Sequence, residues 1–216
     1  MNKLILASSL CLLLAACGSN SEKEASTNKA TDKAAETAQA PATKPAMSAE
    51  NKAAIGEAKQ ITKAFGGALK AKLKAAMKEG GPINALTICN TEATPIAEKA
   101  AKENNALVSR VSLKNRNPDN VPDDWQKTVL EDFDARAAKG ENVKKMAFAK
   151  IVENNGKKQL HFMKALPTGG LCLDCHGSNI EADVQTKVAE LYPDDKATGY
   201  QKGQVRGAVV IIKDIN

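Results

Sequence analysis

Val143–Val152 (VKKMAFAKIV) and Lys158–Ala165 (KQLHFMKA), joined by Asn154-Asn155-Gly156-Lys157, decide the fold of this chain. Both runs have the apolar and β-branched content of strands, and an Asn-Gly pair between such runs is the local signal of a tight hairpin. Upstream, Leu107–Ser112 reads as a further short strand, and Pro122 opens a helix to Lys139. Downstream, Ile180–Leu191 reads as a short helix and Gln204–Ile212 as a closing strand. Towards the N-terminus, Ile55, Ala58, Thr62, Phe65, Leu69, Leu73 and Ala76 recur at spacings of three and four with lysines between them. That period predicts one long amphipathic helix over 48–79, capped by Ser48 and ended by Gly80-Gly81-Pro82. A second helix is expected from Pro82 to Ala93, carrying Cys89, and a third from Pro95 to Asn104, since proline suits a first helical turn. The sum is α+β: a small antiparallel sheet with a long N-terminal helix and flanking helices.

The 216 residues suffice for one ordinary domain, and an apolar fraction of 43% with mean hydropathy of −0.36 describes a globular chain. Aromatic residues make up 3%, so the core must be built from Ala, Leu, Ile, Val and Met. At the front, Lys3 precedes an apolar run from Leu4 to Ala16, about 13 residues, too short to cross a hydrocarbon layer of about 30 Å. Leu14-Ala15-Ala16-Cys17-Gly18 looks like a bacterial lipobox, which implies a signal peptide over 1–16 and lipid attachment at Cys17. Residues 17–47 are Ser, Glu, Lys, Ala, Thr and Asn with prolines, a composition that reads as a tether, leaving 48–216 as the folded domain. The expected location is therefore the bacterial cell envelope, lipid-anchored and facing the periplasm, with the outer membrane the expected site. The net charge of +6 becomes +5 once Lys3 is removed, and the lysines are scattered without interleaved aromatics. This is a solvated surface rather than a nucleic-acid interface.

Five cysteines stand at 11, 17, 89, 172 and 175. Cys172-Leu173-Asp174-Cys175-His176 is the C-x-x-C-H arrangement for covalent haem: two thiols on one turn add across two vinyl groups, and the next residue offers an imidazole to the iron. A redox dithiol would not need the histidine, and a four-cysteine zinc site would need a second pair. One haem c is thus expected, held by Cys172 and Cys175 with His176 on the metal. Cys11 leaves with the signal peptide and Cys17 takes lipid, so Cys89 has no cysteine partner in an oxidising compartment. The second axial position has four candidates: Cys89; His161, which alternates with Leu160 and Phe162 on its strand and otherwise reads as a sheet-face residue; Met146 or Met163, which otherwise fill core gaps; or none.

From about residue 55 to 214 the chain resembles the cyanobacterial-type, PAS-like haem c domain family. Four pieces in the family's order carry the resemblance: Cys89-Asn90-Thr91-Glu92-Ala93-Thr94-Pro95-Ile96-Ala97, Arg110-Val111-Ser112-Leu113-Lys114-Asn115-Arg116-Asn117-Pro118, Cys172–Gly177, and Tyr192-Pro193-Asp194-Asp195-Lys196-Ala197-Thr198-Gly199-Tyr200. Thr94 departs from the pattern by splitting the usual Ala-Pro pair. The resemblance implies a PAS-like sheet, His176 as proximal ligand and Cys89 as a thiolate distal ligand. It also makes Arg110, Lys114 and Arg116 candidates to pair with the haem propionates, against their reading as a solvated basic loop. Trp125 reads as a core anchor, and Tyr192 and Tyr200 as flanks of a loop at the porphyrin edge.

Thiolate carries a full negative charge and stabilises ferric iron, so a Cys/His pair implies a low potential. Two functions then stand: an electron-transfer lipoprotein working with a redox partner protein, or a haem-based gas or redox sensor acting through a partner. An enzyme is not expected, since a peroxidase would need a distal acid–base group and only His161 could serve.

Overall fold

The computed structural model describes residues 47–154 and 156–215. The signal peptide, Cys17 and the tether up to residue 46 lie outside the described residues, as does Asn155 of the hairpin turn. The order of elements is α1 (Ala49–Asn104), β1 (Leu107–Val111), α2 (Asp124–Ala138), β2 (Ala147–Asn154), β3 (Lys157–Pro167), α3 (Leu173–His176), α4 (Ala182–Leu191) and β4 (Val205–Ile215). No helix among the described residues is long and apolar enough to cross a membrane.

The four strands form one antiparallel sheet in the order β1-β4-β3-β2. The hairpin is present, with Asn154 paired to Lys157 and Gly156 at φ 72°, the backbone an Asn-Gly turn requires. The last strand lies inside the sheet, between β1 and β3. Consecutive Ala208, Val209, Val210 and Ile211 are all buried, because both faces of a central strand are covered. Gly207, at φ 154°, lets β4 approach β1 closely: a Cβ there would lie 2.3 Å from the Val111 carbonyl oxygen.

Two cores use the two faces. On one, Val129, Leu130 and Phe133 of α2 pack with Val111, Met146, Met163, Ala165, Ala208 and Val210. On the other, Ala58, Ile61 and Phe65 of α1 pack with Val108, Leu160, Phe162, Val209 and Ile211. The strand period of two separates Leu160 and Phe162 from Met163, and Val209 and Ile211 from Val210. Asp123 and Gln126 form a reciprocal capping box at the start of α2.

Ser48 caps α1 by accepting the Asn51 N–H at 3.1 Å, as the sequence suggests. Gly80 (φ −152°, ψ 20°) and Gly81 (φ 68°, ψ −160°) then break the helix. Lys72 and Glu92 nevertheless form an ion pair at 3.2 Å. In a continuous helix they would stand about 30 Å apart, so the second half of α1 folds back along the first. The expected third helix from Pro95 is not separate: Pro95 lies inside the helical run. An internal proline costs about 3 kcal/mol, and here Ile96, Ala97, Ala100 and Ala101 on the following turns pack against the α1-side core and offset it. The expected strand from Val143 likewise begins later, at Ala147, because Val143–Lys145 form a 3-10 turn capped by Asn142.

Candidate functional site

The Cys172–His176 segment leaves β3 at Thr168, whose N–H donates to the Gln204 carbonyl at 2.8 Å and whose carbonyl accepts from Gly203 at 2.9 Å. Residues Gly170–Cys172 make a 3-10 turn that runs directly into the single turn of α3. Gly169 N–H donates to Cys172 Sγ at 3.3 Å. Gly177 N–H closes the turn on the Leu173 carbonyl at 2.9 Å. A Cβ at 177 would stand 2.6 Å from that same oxygen, so the residue after the histidine has to be glycine.

The segment 195–200 runs alongside. Tyr200 N–H donates to the His176 carbonyl and Gly199 N–H to the Gly177 carbonyl, both at 2.9 Å. The His176 side chain uses the same segment, with Nδ1 2.7 Å from the Ala197 carbonyl oxygen. A carbonyl only accepts, so Nδ1 carries the proton and Nε2 keeps its lone pair. Burial, with Arg206 and Arg116 adding to it, pushes the imidazole down to about 2 against the opposing Ala197 bond. The ring is therefore neutral and a competent metal donor.

Leu86 of α1 shares a buried cluster with Cys175 and with Val184 and Val188 of α4. Cys89, half-buried, lies three residues beyond Leu86 and so on the same helical face. Burial raises the Cys89 thiol above its ordinary value, while the guanidiniums of Arg110 and Arg116 draw it back down. Cys175 is pushed up to about 11, chiefly by burial. The fold thus brings Cys89, Cys172, Cys175 and His176 into one region from two distant parts of the sequence.

The three basic residues of the 110–116 segment divide. Arg116 is buried and committed: Nε donates to Asp195 Oδ1 at 3.1 Å, and Nη2 donates to Asp195 Oδ2 at 3.0 Å and to the Cys175 carbonyl at 2.6 Å. Its charge is already met by Asp195, unlike that of a free anion-binding arginine. Lys114 is exposed, donates to the Thr198 carbonyl, and holds its ammonium 4.9 Å above the Tyr200 ring. Arg110 sits on β1 two residues from Val108, hence on the sheet face that α1 covers. Burial lowers the Arg110 guanidinium, and Cys89 and Tyr192 oppose that shift.

Arg206 was not legible as a site residue from the sequence. It donates to Ser112 Oγ at 3.0 Å and to the Lys114 carbonyl at 3.2 Å, lies 5.3 Å from the Tyr200 ring centroid, and leaves a buried Nε without a partner. Among the described residues neither Arg110 nor Arg206 forms a carboxylate ion pair. His161 stands elsewhere, its ring 4.6 Å from that of Trp125 on the α2 side of the sheet. Met146 and Met163 are fully buried in the α2-side core.

Among curated proteins none matches this chain. Among solved structures, it is similar to the crystal structure of the cyanobacterial haem protein Tll0287, with TM-score 0.51 and 22% identity over 78% of this chain and 97% of that one. At that identity the likeness is one of fold. The model of the Tll0287-like family matches residues 19–213, nearly the whole of the chain, and the chain therefore belongs to the Tll0287-like family.

Proposed function

We propose that this protein is a c-type haem protein that binds a single haem through thioethers from Cys172 and Cys175, with His176 and Cys89 as axial ligands. The observation that carries the reading is His176: neutral, proton fixed on Nδ1, and Nε2 left free beside two thiols. The remaining donors fit the group. Each thiol can add its S–H across a vinyl group, and Arg110 and Arg206 offer positive charge not matched by a carboxylate to two propionates. Haem so bound supplies one-electron exchange between ferric and ferrous iron. Cys89 contributes a thiolate, which the metal's charge would hold deprotonated although burial raises the free thiol.

The working role is electron transfer at low potential, without catalysis, in a lipoprotein anchored through Cys17 in the bacterial cell envelope and facing the periplasm. A redox or gas sensor acting through a partner protein is the second reading. It is favoured by the partial burial of Cys89, which disfavours a charged sulfur: once the iron is reduced and its positive charge falls, the thiolate would be held less strongly and could protonate and leave the metal. Peroxidase chemistry is disfavoured, since His161 stands against Trp125 on the opposite face of the sheet.

Absorption and electron paramagnetic resonance spectra of the oxidised protein test the axial pair. A low-spin ferric spectrum with thiolate character is expected; a bis-nitrogen or high-spin spectrum would remove Cys89 from the iron. Separately, Cys17→Ser should move the protein from the membrane fraction to the soluble periplasmic fraction. Retention of that variant in the membrane fraction would sink the lipid anchor.

A further inference from the structure

Arg116 and Asp195 differ from the other ion pairs among the described residues. Both side chains are 8% exposed, whereas Lys72–Glu92 and Arg136–Asp132 lie at the surface. The remaining bond of Arg116 goes to the Cys172–His176 segment, and that of Asp195 to the adjoining segment that His176 bonds. Arg116 Nη2 donates to the Cys175 carbonyl at 2.6 Å, and Asp195 Oδ1 accepts the Ala197 N–H at 2.9 Å. The Ala197 carbonyl in turn accepts from His176 Nδ1 at 2.7 Å. The contacts close a ring from Arg116 through Cys175, His176, Ala197 and Asp195 back to Arg116. A further main-chain bond, Lys196 N–H to the Asn115 carbonyl at 3.0 Å, ties the same two segments together.

Desolvating a buried ion pair is costly, and apolar residues of similar volume often stabilise a fold as well or better. Stability alone is therefore a weak account of Arg116 and Asp195. We propose that they are a positioning pair, which holds the Ala197 carbonyl on His176 Nδ1 and thereby sets the ferric–ferrous balance of the iron that His176 ligates. This rests on the haem reading above. A hydrogen bond from Nδ1–H raises the basicity of the imidazole at Nε2 and fixes the ring's orientation. The greater basicity favours ferric iron, and the fixed orientation keeps that effect constant. Asp195 also cancels the Arg116 charge, which would otherwise favour ferrous iron.

The test uses the holoprotein and two variants, Asp195→Asn and Arg116→Lys. Asp195→Asn removes the counter-charge and loosens Ala197. At a fixed ambient potential its ferrous-to-ferric ratio should rise about tenfold, a shift of about 59 mV for one electron. Arg116→Lys keeps the charge but cannot bond Asp195 twice and also reach the Cys175 carbonyl. Its shift in potential should be smaller. In both variants the His176 Nδ1 proton, followed in the ferric protein by nuclear magnetic resonance, should exchange with solvent several-fold faster, up to about tenfold. Acid-stable haem should be retained in both. Wild-type potential and proton exchange in both variants, with only a lower melting temperature, would make the pair structural and overturn the proposal. Absence of acid-stable haem from the wild-type protein would overturn the haem reading itself, and the positioning role with it.

Discussion

Replacing Cys172 and Cys175 together with alanine is expected to give protein from which acid–acetone removes all haem, where the wild type retains it. The two sulfurs are the described thiols in the Cys172–His176 segment, and Cys89 sits on a different element with its own role. The variant should also fold less well, for two separable reasons. Cys175 is part of the buried cluster with Leu86, Val184 and Val188, and its truncation costs about 1–3 kcal/mol, as core truncations do. The larger loss is the apolar surface that a bound haem would add to a core with few aromatic residues of its own. A single Cys175→Ala variant that keeps one thioether separates the two, because it carries the truncation without the loss of haem. Acid-stable haem in the double variant would overturn the attachment assignment outright. Haem present in neither wild type nor variant would overturn the haem reading instead.

The parts of this fold that were legible in the sequence are those specified locally. The hairpin follows from Asn155-Gly156 between two strand-like runs, and the end of the long helix from Gly80-Gly81-Pro82, because few residues other than glycine suit the positive φ found at Gly81 and Gly156, and proline cannot continue a helix from its preceding turn. What was not legible is set by packing. Pro95 signals a helix start by its ring, yet the turn after it is held on the sheet by Ile96, Ala97 and Ala100, so the helix runs through. The final strand lies inside the sheet because its neighbours are distant in sequence, and no local pattern encodes which strands flank it.

The site divides in the same way. His176 and its two cysteines share one short motif, readable because its chemistry needs adjacent residues. Arg206 and Asp195 were not identified, since their roles exist only once 195–200 lies beside the motif and β4 beside the 112–114 loop. The one available signal was Asp195 in the segment shared with the family. Arg116, grouped by sequence with Lys114 and Arg110 as a basic cluster, turned out to have a buried acid of its own. Charge counts along a chain do not show which charges meet.

Cys89→Ala should have the largest effect on redox behaviour. Cys89 lies one helical turn from Leu86, which is buried with Cys175, and it perturbs Cys175, Tyr192 and Arg110 electrostatically. If its sulfur ligates the iron, the substitution removes a full negative charge from the metal. Ferrous iron then gains relative to ferric, and the midpoint potential should rise by more than about 100 mV, within the range of about 0.8 V that axial ligands command. The ferric spectrum should move towards a high-spin or water-ligated form, while acid-stable haem remains because Cys172 and Cys175 are untouched. Cys89→Ser separates charge from volume: the hydroxyl keeps the shape of the side chain but does not ionise readily, so its potential should move in the same direction as that of Cys89→Ala. His161→Ala should change the potential little, because its ring is stacked near Trp125 on the opposite face of the sheet. It should instead lower stability modestly, through lost packing on α2. A Cys89→Ala protein with wild-type spectrum and potential would exclude thiolate ligation. Given the burial of Met146 and Met163 on the α2 side, the second axial position would then be open or water-filled.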